Sequence, residues 1–215
     1  MKKLFLENNN LIFLEDGVRE PSPETLFLFE QVNKRHSGGS VVVVGTGAGL
    51  LPILLSPIFS KVIGLEINSS AVDLSRRNAI ANGTKNVEIR ESDLFSALNE
   101  KVDAIIANPP QMPSPGIDKD HWHSVANDGG TGGRELIDKI INDAPRHLHD
   151  GGKLFLSHLE FVNFDETIKK MSQSKMKVKR LDTLTKPFSE FSRTRSGIQD
   201  RDTYEVTVFE GVLKA

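Results

Sequence analysis

Four consecutive valines, Val41 to Val44 in "SVVVVGTGAG" (40–49), restrict the fold more than any other feature of the chain. A β-branched run with no polar alternation is a strand buried on both faces, and such strands belong to parallel sheets covered by helices. Four later runs fit the same reading: "KVIGLEI" (61–67), "VEIRESD" (87–93), "VDAIIANPP" (102–110) and "GGKLFLSHLEF" (151–161). Helical patterns separate them. "SSAVDLSRRNAIANG" (69–83) is expected to start on its serines and to stop at Gly83, and "GRELIDKIINDAPRHL" (133–148) forms another helix. The end of the chain departs from this alternation. "KVKRLDTLTKPF" (177–188) and "TYEVTVFEGVL" (203–213) read as an antiparallel pair of strands joined by a polar loop without a helix. Before the valines the pattern is weaker, with a helix expected over "SPETLFLFEQV" (22–32), capped by Ser22 or Thr25. The expectation is a single α/β domain over 1–215, in which 1–39 cover a core formed by 40–215.

Composition sets the outer limits. A chain of 215 residues can bury one substantial core. Its net charge of -2 gives no whole-molecule field that would favour nucleic acid or an acidic membrane. Cysteine is absent, which excludes disulfides, thiolate chemistry and cysteine-ligated metal. The opening "MKKLFLENNN" turns polar too soon for a signal peptide, and no apolar run approaches the ~18 residues of a membrane span. A soluble, cytoplasmic protein with no membrane partner is expected.

In open parallel sheets, ligands bind at the carboxyl ends of the strands, where the strand order reverses. The residues at those ends are therefore the candidates. After the first strand come Gly45, Thr46, Gly47 and Gly49, whose glycines allow a tight turn and close approach to a ligand. Glu66, followed by Ile67, ends the second strand about twenty positions further on, where a carboxylate can take ribose hydroxyls. Asp93 and Leu94 follow the third strand, and Asn108, Pro109, Pro110 and Gln111 follow the fourth. Together these ends describe a nucleoside site. The spacing G-x-G-x-G, with Leu50 where a dinucleotide fingerprint needs its third glycine, favours a mononucleoside such as S-adenosylmethionine.

"VVVVGTGAG", "VIGLEIN", "ESDLF" and "DAIIANPPQMPSP" resemble successive motifs of class I S-adenosylmethionine-dependent methyltransferases. The Asn-Pro-Pro element is similar to that of enzymes that methylate planar nitrogens. "REPSPETLFLFE" (19–30) and "DGGTGGRELIDKIINDAPRHLHDGGKLFLSH" (128–158) resemble segments of the HemK-like release-factor glutamine methyltransferases and their compact relatives. The resemblance spans about residues 19 to 160, with no separate N-terminal substrate domain before it. It implies a Rossmann-like seven-stranded sheet of order 3-2-1-4-5-7-6, mostly parallel with an antiparallel C-terminal strand. It also implies Thr25 and Asn108 as further cofactor contacts, and a protein glutamine amide as acceptor. Amide nitrogen is a poor nucleophile because its lone pair is delocalised. If the Asn108 oxygen and a proline-turn carbonyl accept both its N–H bonds, the nitrogen is turned toward sp³ and aimed at the methyl group by positioning alone.

Two positions depart from the family pattern. Val43 stands where an acid orients the methionine end of the cofactor, and Gln111 replaces the aromatic residue that stacks on the target. Trp122, between His121 and His123, is a candidate replacement platform; the two histidines are expected on the surface, with no metal bound. From Lys169 to Arg195 the chain has nine Lys or Arg against Asp182 and Glu190, which suits a solvated face and an edge strand. Within it, Arg193 and Arg195 are candidates to meet substrate phosphate or an acidic protein. Four functions thus remain open: a protein amide methyltransferase, a nucleic-acid amino-methyltransferase, a small-molecule methyltransferase, and a cofactor-binding subunit without catalysis. A release-factor-like substrate and a small activating subunit are the partners the resemblance implies.

Overall fold

The computed structural model describes residues 2–5, 10–113, 127–196 and 200–214. The valine run forms β3 (Ser40–Val44) at the centre of a seven-stranded sheet. Its neighbours are β4 (Lys61–Glu66), β5 (Val87–Glu91), β6 (Val102–Ala107), β7 (Leu148–Leu159), β8 (Met176–Pro187) and β9 (Thr203–Leu213), in the spatial order β5-β4-β3-β6-β7-β9-β8. Counted from β3, that is the order 3-2-1-4-5-7-6 implied by the sequence resemblance. All pairings from β5 to β7 are parallel, and β9 runs antiparallel to both β7 and β8.

The valines alternate between two cores. Val41 and Val43 pack with Leu28 and Val32 of α1 (Pro23–Asn33) and with Leu51 and Leu55 of α2 (Leu50–Leu55). Val42 and Val44 pack on the other face, against Ile137, Ile140 and Ile141 of α4 (Glu135–His147). Each fully buried valine contributes about 1.5–3 kcal/mol relative to exposure, so β3 anchors both layers. Helix α3 (Ser69–Ala81) extends the first layer, and α5 (Phe164–Gln173) joins the second.

Three expectations need correction. Asn68, not a serine, caps α3: its Oδ1 accepts from the Ser70 N–H at 3.0 Å. Between β8 and β9 lies a short helix, α6 (Glu190–Ser196), where a helix-free loop is predicted; Ser189 and Ser192 bond reciprocally at its start. The residues before β3 hold more structure than their pattern suggests. A hairpin of β1 (Lys2–Phe5) and β2 (Leu11–Leu14) precedes α1, and Ile12 and Leu14 are buried against α3. Two four-residue strands are too short to announce themselves by alternation; packing on a helix stabilises them.

Candidate active site

The sheet register places the strand ends side by side. Val44 pairs with Leu65 and with Ala107, and Ala107 pairs with Leu156. The residues that follow, Gly45, Glu66, Asn108 and Ser157, therefore share one row at the carboxyl edge. Strand order reverses between β3 and β6, where open α/β sheets bind ligands. Gly45 and Gly47 adopt positive φ angles of 78° and 53°, which glycine alone takes without strain. A Cβ built on Gly45 would meet no atom within 4 Å, so the face of the loop is open there. Gly49 is different: a Cβ there would lie 2.5 Å from Ser75 Oγ of α3, so glycine permits close packing. The Glu66 carboxylate accepts from the N–H groups of Gly47 (2.9 Å), Ile67 and Asn68 (both 3.0 Å). It thereby joins the β3 loop to the β4 loop, and about one of its four acceptor directions stays open.

After β5 the backbone turns sharply at Leu94, φ 47°. Ser92 organises that turn, donating to Leu94 O at 2.8 Å and accepting from the Ala97 N–H at 3.0 Å. Asp93 is left exposed, as is Ile67 after β4, an apolar side chain 65% exposed.

The Asn108–Gln111 turn is clamped from two sides. The Gln111 side chain donates to Ser157 O (3.0 Å) and accepts from the Leu159 N–H (2.8 Å), so its amide continues the β6–β7 pairing where the prolines cannot. From the other side, Gly129 and Gly133 press on it: Cβ atoms there would lie 2.6 Å from Gln111 Cα and from Gln111 O. Asn108, by contrast, is half-buried and its amide finds no hydrogen-bond partner among the described residues. A pocket of about 30 Å³ opens beside it, lined by Arg19, Glu24, Asn127, Leu159 and Tyr204 as well as Asn108 itself. Gln111 lines this pocket too, but both ends of its amide are engaged with β7, which corrects the expectation that it hydrogen-bonds the target.

The pocket wall is charged and largely buried. Burial alone would raise the Glu24 pKa, but hydrogen bonds from Lys186 and Ser22 outweigh it and hold the carboxyl below its usual range. Lys186 bonds one Glu24 oxygen; the other is buried without a hydrogen-bond partner among the described residues. Burial pulls the Arg19 guanidinium below its ordinary pKa, and burial followed by the Glu24 charge pushes the Tyr204 phenol up to about 12. Behind the Gln111 anchor, His158 is buried, with Nδ1 donating to Leu159 O and Nε2 accepting from Thr167 Oγ1 at 2.7 Å.

Other predicted residues are placed less directly. Thr25 sits in the first turn of α1, its hydroxyl 3.4 Å from Ser22 Oγ. Arg193 does not present a free cation: it donates to Arg201 O, lies 3.6 Å from Asp202 and stacks over Phe188. The Arg195 side chain and Trp122 lie outside the described residues, as do His121 and His123. Arg19, Glu24, Ser92 and Tyr204 were not singled out from sequence as site residues, although Arg19 and Glu24 stand in "REPSPETLFLFE", Ser92 stands in "ESDLF", and Tyr204 is the one tyrosine in the chain.

Comparison with known proteins now decides the family. The methyltransferase small domain family matches residues 12–183. The chain belongs to that family. This methyltransferase is 33% identical over 180 residues to a Methanocaldococcus jannaschii protein named provisionally as a protein N5-glutamine methyltransferase, covering 82% of this chain and 90% of the relative. A release factor glutamine methyltransferase of Thermodesulfovibrio yellowstonii is 32% identical over 155 residues, or 65% of this chain. The chain spans about half the length of such relatives, 55% in this case. Among solved structures, the E. cuniculi Mtq2–Trm112 complex, described as methylating the eRF1 translation termination factor, aligns with TM-score 0.67 at 20% identity, covering 92% of this chain and 99% of that one. At that identity the likeness speaks for the fold.

The family implies S-adenosylmethionine, and the donor set is compatible with it. The loop face at Gly45 is open, Glu66 is held with acceptor capacity to spare, and Thr46 Oγ1 is buried with no hydrogen-bond partner among the described residues. No helix among the described residues is long and apolar enough to cross a membrane.

Proposed function

We propose that this methyltransferase transfers a methyl group to the side-chain amide nitrogen of glutamine in a protein substrate of the release-factor type. The observation that carries the reading is the Asn108 amide, without a partner among the described residues at the head of a turn that Gln111 anchors to β7. A polar side chain held ready by rigid surroundings costs little reorganisation when it meets a ligand. Asn108 Oδ1 accepts one N–H of the incoming amide and the Pro109 carbonyl, which Gln111 Nε2 meets at 3.4 Å, accepts the other with its second lone pair, turning the amide lone pair out of conjugation. The pocket beside Asn108, lined by Arg19, Glu24, Asn127 and Tyr204, offers polar walls to a terminal carboxamide.

S-adenosylmethionine supplies the electrophilic methyl group. When it is bound, Glu66 would hold the ribose, Gly45, Thr46, Gly47 and Gly49 would let the backbone approach, Asp93, Leu94 and Ile67 would flank the base, and Thr25 and Asn108 would hold the methionine end. Val43 is fully buried among valine, leucine and isoleucine side chains, so an acid there would itself be costly; Thr46 and the N-terminal arm take over orientation. An acceptor of this kind places the reaction in the cytoplasm. The complex formed by the E. cuniculi neighbour motivates a small activating subunit, which would appear as turnover stimulated by extract.

Labelled S-adenosylmethionine incubated with this protein and a cell extract tests the reading. The expected label is protease-sensitive, nuclease-resistant and located by mass spectrometry on a glutamine side chain. Label released by nuclease would overturn it.

A further inference from the structure

The N-terminal arm lies along α3 in the opposite direction to the helix and is fastened four times. Asn82 exchanges bonds with the Leu11 peptide (N–H to Oδ1 2.9 Å, Nδ2 to O 2.8 Å), and Asn78 does the same with the Phe13 peptide (2.8 and 3.0 Å). Arg77 grips Glu15 with two bonds, and Asn68 Nδ2 donates to Gly17 O at 3.1 Å. The two asparagines, one helical turn apart, act toward β2 as a neighbouring strand would. Past Gly17 the arm crosses the glycine loop, where Arg19 O lies 3.7 Å from the position of a Cβ on Gly47. It then delivers Glu24 to the Asn108 pocket.

Asn78 and Asn82 differ in their third bond. Asn82 Nδ2 turns back to its own helix, to Asn78 O at 2.7 Å. Asn78 Nδ2 reaches forward to Ala48 O at 2.8 Å, in the middle of the glycine loop. Asn78 is fully buried, so those bonds have no water to replace them. Ala48 stands between Gly47 and Gly49, which carry positive φ angles of 53° and 88°. A loop of such permissive residues has little shape of its own, and tying its central carbonyl restricts it strongly.

We infer that Asn78 is a positioning residue that couples docking of the N-terminal arm to the shape of the glycine loop, so that arm docking and cofactor binding favour each other. The inference rests on the reading that this loop holds S-adenosylmethionine. Loss of the coupling lowers the fraction of molecules with a competent loop, which raises the apparent dissociation constant without altering the bound state. Linkage makes the effect reciprocal: bound cofactor must tighten the arm.

Calorimetry with S-adenosylhomocysteine on the full chain, well below each variant's melting temperature, gives the test. Asn78→Ala should raise Kd by ~10-fold or more and KM for S-adenosylmethionine in proportion, with kcat at saturation retained. Asn82→Ala removes the same kind of bond to the arm but none to the loop, and should change Kd by no more than about 2-fold. Hydrogen exchange on the wild type needs no variant: S-adenosylhomocysteine should slow exchange at the Phe13 amide. Equal Kd changes in the two variants, or unchanged exchange at Phe13, would overturn the inference. If the wild type binds no S-adenosylhomocysteine at all, the cofactor reading falls, and the inference with it.

Discussion

The two sides of the sheet's carboxyl edge are built differently. On the β3–β4–β5 side the groups proposed to meet the cofactor stand at strand ends: Gly45 and Asp93 are exposed, and Glu66 is fixed by the backbone of the residues around it. On the β6–β7–β9 side, Gln111, Glu24, Tyr204 and His158 are buried, and they are held by groups far away in sequence, such as Lys186 on Glu24. A cofactor common to many enzymes can be met by loops that need only sit at the right strand ends. An acceptor nitrogen that must be reoriented needs a rigid pocket, and rigidity comes from satisfied buried groups.

The largest expected effect tests the acceptor side. Asn108→Ala should lower methyl transfer by ~10²-fold or more, as for loss of a preorganised polar group, with S-adenosylhomocysteine affinity within a few fold of wild type. Asn108→Asp should behave similarly, because its charge would sit beside the sulfonium. Near-normal turnover by a folded Asn108→Ala protein would remove the contrast between the two sides.

Acid should expose the same asymmetry through His158, whose pKa burial lowers from 6.5 to about 4. Between those values the unfolded chain takes up a proton that the native state refuses, so stability rises with pH there. The part lost on acidification is about 3 kcal/mol, complete below about pH 4. Urea unfolding at pH 7 and pH 4.5 should show this loss in the wild type and a clearly smaller one in His158→Gln.

On the cofactor side, Glu66→Ala should weaken S-adenosylhomocysteine binding by roughly 1.5–3 kcal/mol, the range for a charged hydrogen bond. Calorimetry reads it directly, and turnover at saturating cofactor should change far less. A variant that binds as the wild type does would show that Glu66 only braces the Gly47 loop.

Gln111→Ala carries the smallest effect and sharpens the comparison most. Were the side chain a substrate contact, KM would rise with kcat unchanged. Since its amide bonds Ser157 O and Leu159 N, the expected result is a fall in kcat with a stability loss of about 1–3 kcal/mol in urea midpoints, and little change in KM.

The valine run and the candidates Gly45, Glu66, Asp93 and Asn108 could be read from the chain itself, and the strand order from its resemblance to a known family. Gly45, Glu66 and Asn108 close strands with continuous apolar runs, and parallel pairing then sets those ends in one row, while Asp93 follows the shorter alternating strand β5. The direction of Gln111 could not be read this way. After two prolines no periodicity governs where a side chain points, and only the proximity of β7 turned it inward. Nor could the pocket of Arg19, Glu24 and Tyr204, which comes from both ends of the chain, or the Asn78 bridge, which looks in sequence like an ordinary helix residue. Strand-end chemistry is local, set by hydrophobic pattern and turn residues within a few positions. Burial, orphaned oxygens and amide bridges depend on partners that only the closed sheet and its covering arm bring within reach.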